Sequence, residues 1–560
     1  MKHHPWRIRR AIFPGQTPWR RLEKDWEIPS TVARLAWLRG VDAPEDLAWR
    51  MDPSWERTWD PYLMEGMGEA VVRIRRAVEV AEPICIYGDF DVDGVTATAL
   101  LMRVLERMGA QPSFFIPNRF SDGYGLHLDC IRELASSKAL MISVDCGVRS
   151  VQEVAASREL GLDWIITDHH ALGSELPKAC AVVHPALGDH PNRTLAGVGV
   201  AFKLAQALLD ATPVPRGADS LLLDGLLKLV AIGSLADMVP LEGENALLVK
   251  RGLKALAGPN GPGLACLLKA ARIEGTPTAQ QISFGVAPRL NAVGRMGGAD
   301  DAVRLLLTKD PLEAARLAAR VEALNDDRRT IQRELQLRLP PYDGSPFDFV
   351  VDDAAHKGVI GIVAGQRMRE NGVPAGVCTI LDGILHGSLR APAGYDLGTL
   401  LDLASPYLLS GGGHRAAAGL SFEPSRLPFV RETLNRGAAS QACNLAMPAM
   451  ELDGYGLDEV PAAEHLQWLE PFGQGFPEPW VVQEGRLKAV PRAFGNGHRK
   501  LHLDGVSSEL VWFNGEDESQ GLEPGDILRL ALSPQDHPRW GRSWHVKAVL
   551  GDHLSDGVIP

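Results

Sequence analysis

The spacing of apolar residues changes several times along this chain, and each change predicts a different kind of element. The first eighty residues are rich in Trp, Arg and Pro and close on a helix, with Ala70, Val71, Ile74 and Val78 at helical spacing. From Pro83 the pattern shortens. The run PICIY reads as a buried strand, followed by a polar turn and a helix carrying Thr96, Ala99, Leu100 and Val104. The same unit recurs as LMISV before Asp145 and as WIIT before Asp168. Short apolar strands alternating with helices predict an α/β fold, with a parallel sheet covered on both faces. In every unit an acidic residue closely follows the strand, at the carboxyl edge where open α/β folds place their ligands.

A helical region spans 198–257, and a charged, Ala- and Leu-rich segment runs from Pro311, suited to a first helical turn, to Pro340. As one helix it would reach roughly 40 Å, as a strut between domains or as a solvated surface helix. A second α/β pattern starts near Phe349 and continues to about Phe422. The last hundred residues read as short strands with turn signals such as Asn496-Gly497, which suggests a small β-barrel or sandwich. Five regions are expected: an N-terminal segment over 1–80, a parallel-sheet domain over 81–310, a connecting helix over 311–340, a second α/β domain over 341–440 and a β-barrel over 441–560.

Composition narrows the class. At 560 residues the chain exceeds one compact domain, and 45% hydrophobic with 23% charged residues suits several ordinary cores. The seven cysteines are scattered singly and match neither a zinc knuckle nor a disulfide framework, which fits a reducing cytoplasm. The basic N-terminal stretch lacks the apolar run of a signal peptide, and no apolar span is of membrane length, so a soluble cytoplasmic protein is expected. A net charge of -12 argues at first sight against nucleic acid as a partner. A carboxylate metal site, whose cations cancel its own charge, weakens that objection, and so does a local basic groove.

The segment YGDFDVDG sets Asp89, Asp91 and Asp93 at alternate positions beyond a strand. Three carboxylates so close repel one another unless cations sit among them. Alone, the segment could be a solvated acidic turn. An EF-hand loop is disfavoured by the preceding strand and by the lack of Glu at the twelfth loop position. Repetition changes the balance. Asp145 in VDCG, Asp168-His169-His170 in TDHH and Asp237 in GSLADMVPL lie where β-α order brings them to one sheet edge. Carboxylates with one or two imidazoles suit manganese, or magnesium with less help from histidine. A single Asp on a central strand could bridge two ions about 4 Å apart.

These four segments resemble the successive motifs of the DHH phosphoesterase superfamily. HKGVIGIVAG from His356 and GGGHRAAAG from Gly411 resemble its DHH-associated C-terminal domain. APRLNAVGRMG from Ala287 and LEPFGQGFPEP from Leu469 narrow the resemblance to the RecJ exonuclease family, over about residues 30–550. The resemblance implies a DHH domain, a connecting helix, a DHH-associated α/β domain and an OB-like barrel. It implies two ions, Mn2+ or Mg2+, held by Asp91, Asp93, Asp145, His169 and Asp237, with Asp145 as the bridge. Asp89 and Asp168 would be close ligands or groups that orient ligands, and His170 would face the scissile phosphate. The implied reaction is 5′→3′ hydrolysis of single-stranded DNA by metal-activated water, in repair and recombination, with no covalent enzyme intermediate.

By the same resemblance Arg119 and Tyr124 in IPNRFSDGYGL, Arg295 in GRMGG, and Ser388 with Arg390 in HGSLR belong to the DNA-binding surface, the arginines and Ser388 on the 5′ phosphate or nearby backbone. Gly412, Gly413 and His414 form a turn whose backbone N–H groups can approach phosphate. The chain departs from the family pattern after Arg390: Ala391-Pro392 stands where a small polar residue before an apolar one is expected, so backbone contacts there are not carried over. In the barrel region Arg486, Lys488, Arg492, Arg499 and Lys500 alternate with Phe494 and His498 without an acidic residue, a pattern that fits strand binding. The resemblance also implies a monomer, with a helicase and a single-strand-binding protein as candidate partners. Related phosphodiesterases acting on short oligonucleotides or cyclic dinucleotides are expected to lack the barrel. Non-catalytic replication scaffolds of the superfamily have lost carboxylates that this chain keeps.

Overall fold

The computed structural model describes residues 6–10, 16–119, 125–135, 139–210, 217–442, 450–453, 460–506, 508–537 and 541–550. Strands β1 (Ile84–Gly88), β2 (Ser113–Phe115), β3 (Leu140–Val144), β4 (Asp163–Thr167) and β5 (Ala181–Val183) form a wholly parallel sheet in the order β2-β1-β3-β4-β5. The five-residue strands are mostly apolar and almost wholly buried because both faces are covered. Alternate side chains enter two different cores: Ile84, Ile86, Ile142, Val144 and Ile165 pack into one, Cys85, Tyr87, Met141, Trp164 and Ile166 into the other. The first core also takes helices α1 (Val92–Arg107), α2 (Gly197–Leu208) and α3 (Gly217–Ala236). Since β3 is central, the residue after it is flanked by whatever follows β1 and β4.

Beyond helix α4 (Ala287–Met296), the charged segment is one helix, α5 (Pro311–Arg338), capped by Asp310, whose carboxylate accepts from the Leu312 amide. It is a packed strut. Ala314, Leu317 and Val321 belong to the core of the parallel-sheet domain, whereas Leu335 packs with Val350, Val359 and Ile360 of the second α/β domain. That domain contains β6 (Asp348–Val351), α6 (Lys357–Asn371), β7 (Ala375–Leu381), β8 (Ile384–Arg390), β9 (Ser410–Gly413) and β10 (Ala417–Phe422), in the sheet order β9-β10-β8-β7-β6. The N-terminus of α6 lies against α4 so closely that a Cβ on Gly358 would fall 2.2 Å from the Arg295 carbonyl oxygen.

Six strands make the C-terminal unit: β11 (Val481–Arg486), β12 (Arg492–Phe494), β13 (His498–Leu501), β14 (Leu510–Trp512), β15 (Ile527–His537) and β16 (Gly541–Val549), in the order β11-β15-β16-β14-β13-β12. A bridge between Leu487 and Leu503 joins the end of β11 to that of β13 and closes the barrel. The Asn496-Gly497 signal marks the β12-β13 turn, where Gly495 and Gly497 take φ of 55° and 74°.

The N-terminal helix Ser30–Leu38 shares a core with this barrel: Val32, Leu35 and Leu38 pack with Leu503, Leu530 and Trp544. Trp6–Ile8 pairs in parallel with Met450–Leu452, and buried Arg39 meets Asp453 at 2.5 Å. Arg39 and Arg50 also flank the ring of Phe476, at 4.4 and 4.0 Å from its centre. Arg50 Nη2 donates to the Leu241 carbonyl at 2.5 Å, and the Leu241 amide donates to the carbonyl of Gln474 at 2.7 Å. The loop entering the barrel is thereby bound to the segment just after Asp237.

Among the described residues no helix is long and apolar enough to cross a membrane, and none of the six described cysteines forms a disulfide. Leu35→Ala should destabilise the shared core by about 2–5 kcal/mol. Hydrogen exchange should then lose protection in β15 and β16 as well as in Ser30–Leu38. Unchanged barrel protection would show that the two ends of the chain fold independently.

Candidate metal centre

The acidic segments end on one sheet edge. Asp89, Asp91 and Asp93 follow β1, Asp145 follows β3, Asp168 to His170 follow β4, and Asp237 follows α3. Ligand atoms cluster within 4.8 Å of one another in three overlapping groups: Asp89, Asp91 and Asp145; Asp93, His169 and Asp237; Asp145, His169 and His170. Asp145 belongs to two groups, and so does His169. His169 Nε2 lies 3.1 Å from Asp145 Oδ1, 3.7 Å from Asp93 Oδ2 and 3.8 Å from Asp237 Oδ2.

Local structure fixes these positions. Asp145 holds a left-handed φ of 62°, a conformation that costs a non-glycine residue about 1–3 kcal/mol and persists where its surroundings impose it. Asp91 caps α1, accepting from the Asp93 and Gly94 amides. Both oxygens of Asp93 accept from the first turn of α2, at 2.6 Å from the Gly197 amide and 2.8 Å from that of Val198, where unpaired N–H groups favour an anion. Only glycine fits at 197, because a Cβ would lie 2.7 Å from Asp145 Oδ1. Asp168 accepts from the His169 and His170 amides at 2.7 and 3.1 Å and from Val148 at 2.9 Å, and its Oδ1 is 2.8 Å from His170 Nδ1. Burial would raise this carboxyl, but the His170 contact and the backbone donors outweigh it and bring it down to about 2. Burial likewise opposes the charge on His170, and Asp168 overrides it, lifting His170 to about 9. With its lone pairs occupied, Asp168 orients His170.

The remaining carboxylates behave oppositely. Burial, reinforced by neighbouring carboxylates, holds Asp93 and Asp237 up at about 7 and pushes Asp89 and Asp145 well above the ordinary range. Asp89 Oδ1 is buried without a hydrogen-bond partner. Divalent cations would relieve both conditions, and oxygen donors with one or two imidazoles suit Mn2+ or Mg2+.

A pocket of about 440 Å³ opens over these groups, with Arg119, Asn291 and Arg295 in its wall. The Arg119 guanidinium lies 5.0 Å from the centre of the Phe90 ring. Burial, followed by repulsion from Arg119, Arg390 and Arg328, lowers Arg295 to about 10. On β8, Arg390 Nη1 donates to Ser388 Oγ at 3.1 Å. Buried like charges gathered this way form a receptor for a polyanion.

Family models agree with this architecture along the chain. The DHH family N-terminal domain matches residues 83–234, the DHHA1 domain 347–439 and the RecJ OB domain 456–544. The single-stranded-DNA-specific exonuclease RecJ of Bacillus subtilis (strain 168) is 37% identical over 544 residues, 94% of this chain and 68% of its own length. Its namesake from Escherichia coli (strain K12) is 32% identical, over 86% of this chain and 87% of its own. The chain belongs to the RecJ family. A crystal structure of RecJ in complex with Mn2+ from Thermus thermophilus superposes with a TM-score of 0.82 at 29% identity, over 100% of this chain and 82% of that one. A second crystal structure of that RecJ contains Mg2+.

Of the residues expected to hold DNA in this RecJ-family chain, Arg119, Arg295, Ser388 and Arg390 come together from two domains. Gly412 aligns with Gly419, and through it with Ser388, about 10 Å away by strand spacing. Gly412, Gly413 and His414 are exposed on this sheet edge, and none of them lines the metal pocket. Tyr124 lies outside the described residues. The basic run of the barrel differs from its appearance in sequence. Carboxylates from elsewhere in the barrel reach it: Arg492 and Lys500 pair with Glu509 at 3.1 and 2.7 Å, and Arg499 pairs with Glu516 at 3.0 Å. Sequence reasoning missed Asn291, Met238 and Arg328. Arg328 gave no signal, standing on a helix rich in charged residues along its whole length.

Gly197→Ala should weaken Mn2+ binding by about 10–100-fold, the usual effect of disturbing the groups that support metal ligands. Calorimetric titration gives the comparison, and an unchanged affinity would mean that Asp145 is not confined by α2.

Proposed function

We propose that this chain is a single-stranded-DNA-specific exonuclease that hydrolyses phosphodiesters from the 5′ end with two divalent ions. The observation that carries the proposal is the juxtaposition of a buried carboxylate–imidazole cluster with a buried arginine cluster drawn from two domains. Its RecJ relatives bear the name of that activity. Asp91, Asp93, Asp145, His169 and Asp237 are assigned as ligands; Asp145 would be the one shared between two ions, because it belongs to two ligand groups and, unlike His169, has two oxygens to offer. Asp89, with an oxygen left unbonded, stands ready to join them. When bound, the ions supply a nucleophile from water at neutral pH and neutralise charge on the leaving oxygen.

The protein's own groups do the rest. Asp168 fixes the His170 ring through Nδ1, which leaves the other nitrogen to donate to a phosphate oxygen. Arg119, Arg295 and Arg390 with Ser388 take the 5′-terminal phosphate. A terminal monoester carries up to one more negative charge and one more free oxygen than an internal diester, and an arginine fork can sense both. Family resemblance supports a cytoplasmic monomer working beside a helicase and a single-strand-binding protein. The same resemblance supports domains over 81–310, 341–440 and 441–560, joined by a helix over 311–340 and preceded by a segment over 1–80, whose side chains divide between the barrel core and the parallel-sheet core.

End-labelled single strands, duplex and RNA, incubated with and without Mn2+, test the reading on one gel. Metal-dependent loss of single-stranded DNA from the 5′ end is expected, abolished by Asp145→Ala. Arg390→Ala should raise KM for 5′-phosphorylated strands far more than for 5′-hydroxyl strands. Degradation from the 3′ end, or equal attack on duplex, would contradict the proposal.

A further inference from the structure

Behind the ligand group of Asp93, His169 and Asp237 lies a buried polar network that the proposed chemistry does not use. Its centre is Asn245, 2% exposed, on the helix Gly243–Leu256. Asn245 Nδ2 donates to the carbonyl oxygens of Thr194 at 2.9 Å and Pro240 at 3.0 Å, and Asn245 Oδ1 accepts from Asn192 Nδ2 at 2.9 Å. Carbonyl acceptors at one end and a donor at the other admit a single orientation of this amide. Asn192 in turn accepts from the Thr194 amide and hydroxyl, both at 3.1 Å. Next to Asn245, Glu244 pairs with Lys203 of α2, both fully buried, which keeps the two helices in register.

These bonds join the two backbone segments that carry the ligand group. Thr194 precedes the first turn of α2, whose Gly197 and Val198 amides hold Asp93. Pro240 closely follows Asp237. Between them Met238 takes a left-handed φ of 60°, a conformation that persists only where its surroundings impose it. The Met238 side chain is 67% exposed, so packing does not impose it, and the hold on the backbone beyond it does. His169 Nε2 is nearly equidistant from the two carboxylates, at 3.7 Å from Asp93 Oδ2 and 3.8 Å from Asp237 Oδ2.

We propose that Asn245 is a positioning residue for the ion held by Asp93, His169 and Asp237, because bonding Thr194 and Pro240 together sets the separation of the two carboxylates. The inference rests on the two-ion reading above. Asn245 touches neither ion nor substrate, and acts through the backbones of α2 and of the segment after Asp237. The group of Asp89, Asp91 and Asp145 follows strand ends that the sheet itself holds in register, so its ion does not depend on Asn245. Loss of the amide would leave two buried carbonyls unpaired and let the two segments drift apart.

The test is a Mn2+ titration of the full chain, read by calorimetry and by electron paramagnetic resonance, for the wild type, Asn245→Leu, Thr194→Val and Leu434→Ala. Leucine matches asparagine in size and carries no donor. Asn245→Leu should weaken one ion by about 10–100-fold and leave the other unchanged, the range found when groups supporting metal ligands are removed. The resonance should then be that of isolated Mn2+ at concentrations that pair the ions in the wild type. Thr194→Val removes one hydroxyl from the same network, should show a smaller loss of the same kind, and decides the matter if Asn245→Leu does not fold. Leu434→Ala opens the core of the second α/β domain and should lower thermal stability while keeping both ions. Wild-type affinity for both ions in the folded network variants, or equal weakening of both, would overturn the assignment. A wild type that binds fewer than two ions would overturn the two-ion reading, and this role with it.

Discussion

Asp89, Asp93 and Asp145 are buried together at one sheet edge, with Asp91 and Asp237 beside them, and carboxylates so placed resist ionising together. Much of the surrounding structure answers this repulsion. The first turn of α2 gives two of its free amides to Asp93, glycine at 197 lets that turn approach Asp145, and Asp145 leaves the central strand through its own left-handed backbone. Without cations the cluster works against the fold. An acid whose pKa is raised by folding favours the unfolded chain once pH exceeds the ordinary carboxylate range, and for Asp93 and Asp237 this penalty grows until about pH 7. Bound divalent ions reverse the sign, and their affinity adds to stability.

The arginine cluster poses the mirror-image problem a short distance away. Arg295 is pushed down by burial and by three neighbouring arginines. Together the clusters make a site that calls for cations on one side and an anion on the other, which a nucleic acid end with its metals supplies. This local polarity explains why the net charge of -12 is a poor guide to partners. The concentrated positive charge lies at the site, around Arg295, whereas the barrel's basic run is partly matched by Glu509 and Glu516.

Much of this was legible because each signal is short and local. A strand of five apolar residues ending in Asp is readable wherever it lies, and strand order places such ends side by side. The connecting helix was legible from its two prolines, although its packing was not, since its apolar stripe is interrupted by charge. Contacts between distant parts of the chain left no trace. The core shared by the N-terminal helices and the barrel, tied by Arg39 and Asp453, joins residues more than four hundred positions apart. Strain at Asp145 and Met238 is a property of backbone angles imposed by the fold, and no residue type announces it. Arg328 looks like any helix arginine until α6 and α4 close around it.

On the proposed reading, the carboxylate cluster would hold two divalent ions close enough to share Asp145. Electron paramagnetic resonance of the full chain titrated with Mn2+ reads this directly. Saturation is expected at two ions per chain, with the signal of a spin-coupled pair replacing that of isolated Mn2+ as the second ion binds. Saturation at one ion, or two ions that never couple, would contradict it.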